Sequence, residues 1–457
     1  MSESLVSINP ATGAEIGRYP ISTPQQTEQA LQQAVDTFAT WRKLSFEDRA
    51  VLLKKIAATL RIHKDKLIQL AATDMGKPFA QGNYEVEKCA STLEFYADRG
   101  AEFLKNEWVQ TDAIRSYVSF QPLGTVLAIM PWNFPYWQVF RAFAPAAMAG
   151  NVMILKHAGN VSGCALAIEE IIIEAGAPVG LFKTLLLPAA KVEPLIDDVR
   201  IAAVTLTGST AAGRKVAAAA GRNLKKAVLE LGGSDPYIIL ADADMDKAQE
   251  IALRGRLVNS GQSCIAAKRF VVHTSRIAEF EQRFADAMQQ ATWGNPMEGE
   301  FRIGPMARVD LRDELHEQVM KSVTMGAKLL CGGYIPEGPG AYYPPTVLTN
   351  VTKGMPAYDE ELFGPAAAII EAKSEEEAMQ IANDTIYGLG GGIISANIDH
   401  AEMLAATELQ AGNCFVNDFV HSDPHLPFGG IKQSGYGREL GTYGIREFVN
   451  IKSVYVK

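Results

Sequence analysis

One run of six residues, Thr125-Val126-Leu127-Ala128-Ile129-Met130, constrains the fold of this chain more than any other stretch. A strand with one wet face alternates apolar and polar residues, whereas a strand covered on both faces reads as a continuous apolar run, which is the habit of parallel sheets. The chain then alternates in kind: strand 152–155, helix 163–175, strand 182–187, helix 192–197, strand 201–206, helix 211–220 and strand 227–229. That order predicts an α/β fold with a doubly wound parallel sheet, whose ligands lie at the carboxyl ends of the strands. Upstream, apolar residues recur at helical spacing between 23 and 100 (Ala30, Ala34, Phe38, then Leu52, Leu53, Ile56, Leu60), and Met75-Gly76-Lys77-Pro78 marks a helix end. This block reads as an outer helical layer on the sheet. Residues 1–20 read as an extended arm punctuated by Asn9-Pro10 and Thr12-Gly13. A second strand-helix region begins after Gly233. At 457 residues the chain exceeds what one core supports, so two or more domains are expected.

Composition narrows the function. The net charge of -9 disfavours nucleic acid and anionic membranes, and the longest apolar runs break well before the roughly 20 residues a membrane span needs. Five scattered cysteines form no CxxC and no close Cys/His pair, which argues against a disulfide framework or a zinc site. No metal is expected. The start, Met1-Ser2-Glu3-Ser4-Leu5, is acidic and lacks an apolar core segment, so the expectation is a cytoplasmic enzyme acting on small molecules. The acidic turn Asp242-Ala243-Asp244-Met245-Asp246 reads as the charged cap of a helix rather than a metal site.

Three motifs carry chemistry. Thr207-Gly208-Ser209-Thr210-Ala211-Ala212-Gly213 lies where a strand gives way to a helix; its glycines let backbone approach a phosphate, and the helix start offers free N–H groups. It is not a GxGxxG fingerprint, and spacing alone makes it an ordinary strand-helix turn. Ser260-Gly261-Gln262-Ser263-Cys264 can present a thiol nucleophile, although a lone cysteine is more often a small buried hydrophobe. Glu230-Leu231-Gly232-Gly233 can present a base.

Taken together these motifs resemble those of the NAD(P)-dependent aldehyde dehydrogenase superfamily. The resemblance continues through Trp132-Asn133-Phe134-Pro135, Glu361-Leu362-Phe363-Gly364-Pro365 and Pro427-Phe428-Gly429-Gly430 onward to Glu439. It implies a dinucleotide-binding domain over 1–110 and 127–232, a catalytic domain over 233–430, and oligomerisation strands in 111–126 and 431–457. A homodimer or homotetramer is implied with them. By resemblance Cys264 is the nucleophile, Asn133 and the Cys264 N–H receive the oxyanion, and Glu230 activates water. That base separates hydrolysis from acyl transfer to coenzyme A. Glu439 matches a proton-relay glutamate. The cofactor, NAD or NADP, falls to Trp132, Lys156, Gly208, Ser209, Gly213, Leu231, Glu361 and Phe363. Where a family carboxylate would exclude a 2′-phosphate this chain has Gly159, so the choice of cofactor stays open. Ala266 stands where some relatives carry a second cysteine.

For the substrate, Arg141 occupies the place at which succinate semialdehyde dehydrogenases bind a distal carboxylate, and an arginine suits that task by its planar fork. Trp137 and Gln138 share its helical face, and His421 and Ser422 fall near the same mouth. A further family arginine is Val258 here. Oxidation of succinate semialdehyde to the free acid is therefore expected, with another small carboxylated or aliphatic aldehyde as the alternative. A non-catalytic relative would be expected to lose Cys264, Glu230 or Asn133, and a thiol hydrolase has no matching histidine motif.

Overall fold

The computed structural model describes residues 3–457. Strand Thr125–Met130 is buried at all six positions and sits in the interior of a six-stranded sheet. Parallel to it lie Val152–His157 on one side and Ile201–Thr207 on the other. Lys226–Glu230 and Phe182–Thr184 extend the sheet outward, and the short strand Gly435–Tyr436 closes one edge antiparallel to Lys226–Glu230. Because the chain leaves Thr125–Met130 in one direction and later returns on its other side, the loops after Met130 and Thr207 diverge. The crevice between diverging loops is where a doubly wound sheet binds ligands.

The upstream block resolves into four helices, Pro24–Trp41, Phe46–Ile62, Lys64–Met75 and Phe79–Phe103, whose buried faces join the core of this sheet. Gly76 ends the third helix in the left-handed region at φ 77°. The arm at the start is a hairpin, Ser4–Ile8 against Glu15–Pro20.

A second sheet of seven strands runs Lys328–Cys331, Thr346–Thr349, Ala366–Ala372, Ala267–His273, Asp235–Ile239, Gly390–Ile394, Asn413–Val416; only the first of these is antiparallel to its neighbour. The chain leaves the first sheet at Glu230 and enters the second at Asp235, so carboxyl ends of the first face amino ends of the second. Cys264 lies three residues before Ala267–His273 in the same seam. Asp244 caps helix Met245–Leu257, accepting from the N–H groups of Asp246 and Lys247 at 3.0 and 3.3 Å, as the acidic turn suggests.

Three boundaries differ from the sequence reading. Thr125–Met130 is one unbroken strand, so no boundary falls at 127. The helix that the sequence places at 247–259, leading to Cys264, stops at Leu257 and gives way to a tight turn, because Asn259, Ser260 and Gly261 are all left-handed. Only part of 431–457 forms a separate layer: Gly435–Tyr436 belongs to the first sheet, while Val449–Val456 pairs with Arg115–Pro122, backed by Glu107–Trp108, in a three-stranded sheet.

Candidate active site

Cys264 lines two cavities, one on each side of the seam. The larger, about 420 Å³, takes in Pro131, Trp132 and Asn133 after one strand and Thr207, Gly208 and Ser209 after the next, which are the two diverging loops of the first sheet. Leu231, Gly232, Glu361 and Phe363 complete it on the other side. The smaller, about 310 Å³, is lined by Trp137, Gln138, Arg141, His421 and Ser422 together with Tyr84, Lys88 and Arg254.

The turn that presents Cys264 is strained and heavily braced. Asn259 and Ser260 hold φ of 52° and 56°, a region that costs a side-chain-bearing residue roughly 1–2 kcal/mol. Several bonds hold them there: Gln81 Oε1 accepts from the Asn259 N–H at 2.5 Å, Ser260 Oγ accepts from the Gly304 N–H at 3.0 Å, and Arg256 donates to the Gly261 carbonyl at 2.6 Å. Gly261, at φ 74°, lies so close to Gly364 that a methyl group would collide with its carbonyl. Beneath the turn, the buried Lys268 ammonium donates to the carbonyls of Ser263 (2.8 Å), Cys264 (2.7 Å) and Ala266 (3.3 Å).

Burial pushes the Cys264 thiol up to about 12, opposed by the positive charges of Lys268 and Arg141. The Cys264 N–H has no protein acceptor among the described residues. Asn133 Nδ2 donates one hydrogen to the Gln262 carbonyl at 3.1 Å, which leaves its second hydrogen for another acceptor. Glu230 ends its strand 1% exposed, with neither carboxyl oxygen hydrogen-bonded, and burial with the nearby Glu439 raises its pKa well above the usual range. Gly429 makes room for it, since a Cβ there would stand 2.7 Å from Glu230 Oε1. Glu439 is buried and ion-paired to Arg141; burial raises its pKa, helped by the charge of Glu447 and opposed by Arg141. Arg141 also donates to Thr207 Oγ1 at 3.2 Å and lies 4.9 Å from the Phe428 ring.

On the side of the larger cavity, Glu361 Oε1 accepts from the Gly233 N–H at 3.0 Å and sits 3.5 Å from Lys268 Nζ. A Cβ on Gly232 would approach Glu361 Oε2 to 2.5 Å, so the glycine is what brings backbone and carboxylate together. Phe363 meets Trp132 edge to face at 5.7 Å. Ser209 caps helix Thr210–Arg222, whose first N–H groups open toward the cavity loops. Gly213 does not line the cavity: its place is a close contact with the Leu231 side chain. Lys156 stands apart too, near the carboxyl end of Val152–His157, where burial lowers its pKa. His157 turns inward to the Pro135 carbonyl at 2.9 Å and is not available to a ligand.

The sequence pattern of the aldehyde dehydrogenase family matches residues 1–454. This chain belongs to the aldehyde dehydrogenase family. It is 47% identical over 453 residues to a probable NADP(+) succinate-semialdehyde dehydrogenase of Synechocystis sp., covering 99% of this chain and all of that one. It is 46% identical over 450 residues to an Escherichia coli succinate semialdehyde dehydrogenase using NAD(P)+, with 98% and 97% covered. Among solved structures, the succinic semialdehyde dehydrogenase of Streptococcus pyogenes with NADP+ superimposes with a TM-score of 0.96 at 39% identity, over 99% of each chain. In this aldehyde dehydrogenase, sequence reasoning missed Lys88, Lys268 and the placement of Arg254. The polar residues Gln81, Tyr84, Glu85 and Lys88 at helical spacing were the one available signal for Lys88. Among the described residues no cluster of side chains could hold a metal, and no helix is long and apolar enough to cross a membrane.

Proposed function

We propose that this enzyme oxidises succinate semialdehyde to the free acid, the aldehyde entering through the smaller cavity and NAD or NADP through the larger. The observation that carries the reading is Cys264 standing between the two cavities, with a cationic and aromatic lining on one side and a glycine-rich strand-helix turn on the other. The residues fit a dinucleotide. Gly208, Ser209 and the start of helix Thr210–Arg222 suit its phosphates, Lys156 the adenosine ribose, Glu361 the nicotinamide ribose, and Trp132, Leu231 and Phe363 the ring. Bound there, the dinucleotide would supply the oxidant, taking up the hydride that a thiohemiacetal carbon loses on becoming a thioester.

The thiol of Cys264 adds to the aldehyde carbon, its proton passing to solvent as the carbonyl oxygen takes up the negative charge, and a thiohemiacetal anion forms. The Cys264 N–H and Asn133 Nδ2 receive the developing oxyanion, and losing one such donor costs about 3 kcal/mol of barrier. A thioester on Cys264 then awaits water. Glu230, held by burial at a raised pKa, is a strong base once ionised and takes the proton of the attacking water. Glu439, beside it and paired to Arg141, is placed to pass that proton onward. The acid leaves and the thiol is regenerated.

His421 and Ser422 line the smaller cavity together with Trp137 and Gln138, and Lys88, Arg141 and Arg254 bring positive charge to it. A small aldehyde with a distal carboxylate suits this lining better than an uncharged one. The test is steady-state kinetics with succinate semialdehyde and butyraldehyde, using each cofactor in turn. We expect kcat/KM about ten- to a hundredfold higher for succinate semialdehyde, the worth of one charge-assisted contact. We also expect both cofactors to serve, since Gly159 carries no carboxylate to repel a 2′-phosphate. Equal use of the two aldehydes would return the substrate to an aldehyde of unknown polarity.

The strand Val449–Val456 is an open edge with Ile451 and Tyr455 exposed, and exposed Trp108 stands on the opposite edge of the same sheet. We read this edge as the surface through which two or more copies join.

A further inference from the structure

Lys88 sits on helix Phe79–Phe103, one turn beyond Tyr84 and Glu85, and its head reaches the cavity that leads to Cys264. Its Nζ donates to Ser422 Oγ at 2.8 Å and lies 4.4 Å from the centre of the Trp137 ring. Among the described residues no carboxylate stands within ion-pair distance of it. The other charges nearby are otherwise engaged. Glu85 is paired to Lys77 and accepts two backbone N–H groups. Arg141 is paired to Glu439, and Arg254 stacks over Phe419 near Glu250. A half-buried cation with no anion is costly, and it is retained where something else supplies the anion.

We propose that Lys88, acting with the Ser422 hydroxyl, is the residue pair that selects an aldehyde with a distal carboxylate. The proposal deepens the functional reading above and rests on it. Lys88 has three N–H donors and spends one on Ser422; having accepted from Lys88, Ser422 still has its own O–H to donate. The two can therefore grip one carboxylate from adjacent directions, while Trp137 flanks the methylene chain. Arg141 cannot supply this alone, because its guanidinium is already engaged by Glu439 and the Thr207 hydroxyl. Lys88 shares one face of its helix with Gln81, Tyr84 and Glu85, and nothing in their sequence alone marks the lysine as a ligand for substrate.

The experiment compares the ratio of kcat/KM for succinate semialdehyde to that for butyraldehyde in wild type, Lys88→Met and Lys88→Arg. Methionine keeps the length of the stem and removes the charge. We expect the ratio to fall about ten- to a hundredfold in Lys88→Met, through KM rather than kcat, and to recover substantially in Lys88→Arg. A companion measurement does not need turnover: succinate should raise the unfolding temperature of the wild type and not of Lys88→Met. A wild type that discriminates between the aldehydes, with a Lys88→Met variant that discriminates equally, would overturn the assignment of Lys88 and leave the functional reading standing. A wild type with a ratio near one would overturn both.

Discussion

At the scale of single residues, the site is a set of ionisable groups moved from their ordinary behaviour by burial, and each shift has a consequence that can be titrated. Burial lowers the Lys88 pKa to about 8, and the charge of Arg141 pushes the same way. Cys89 and Glu85 on its own helix and Asp423 on the facing loop oppose the shift, with Tyr84, His421 and Arg254 completing its surroundings. A lysine with a depressed pKa loses its charge as pH rises through that value. The ratio of kcat/KM for succinate semialdehyde to that for butyraldehyde should therefore be level below pH about 7 and fall roughly tenfold per pH unit above about 8, since kcat/KM reports the free enzyme. Taking the ratio cancels the titrations of Cys264 and Glu230, which act on both aldehydes. A ratio that stays level to pH about 10 would mean that Lys88 does not read the carboxylate. Cys264, Glu230 and Asn133 could be singled out in the sequence because each lies in a short motif that resembles one of the aldehyde dehydrogenase family. Lys88 and Lys268 could not, because their roles depend on which backbone carbonyls and hydroxyls the fold carries to them from distant segments.

At the scale of elements, helix Trp137–Ala149 is the link between the outer helices and the chemistry. It begins just after the turn that carries Asn133, and it has no cap of its own. The cap comes from Glu85 on the neighbouring helix, whose Oε1 accepts from the N–H groups of Tyr136 (2.8 Å) and Trp137 (2.9 Å). Lys77, fully buried against Glu85 and 4.1 Å from the Phe134 ring, compensates its charge. Removing one partner of a buried pair strands the other, so Glu85→Ala should cost about 3–5 kcal/mol of stability, measured by denaturant unfolding. The double variant Lys77→Met with Glu85→Gln should cost less than the single one. If Glu85→Ala loses under about 1 kcal/mol, the pair is not what holds this helix start. The alternation of strands and helices around Thr125–Met130 was readable from hydrophobic pattern alone, because burial on both faces leaves no room for polar residues. The end of the helix before Cys264 was not. Asn259 and Ser260 are ordinary residues forced into the left-handed region by Gln81, Gly304 and Arg256, and local propensity contains none of those contacts.

At the scale of the whole molecule, two sheets meet end to end and Cys264 stands in the seam, lining a cavity on either side. The three-stranded sheet lies outside this arrangement and leaves the edge of Val449–Val456 open. Ile451→Lys, on that edge and 61% exposed, should shift the sedimentation mass toward a single chain; an unchanged mass would place the contact elsewhere. The division of labour across the seam is the central claim, with Cys264 forming the thioester and Glu230, delivered by the last residue of a strand in the opposite sheet, releasing it. Glu230→Gln separates the two halves of that claim in one rapid-mixing experiment that follows the absorbance of the reduced dinucleotide. The expected result is a burst equal to the concentration of active sites, then a steady rate reduced at least about a hundredfold, with the acyl group found on Cys264 by mass spectrometry. A variant that turns over at the normal steady rate, with no acyl group held on Cys264, would contradict it.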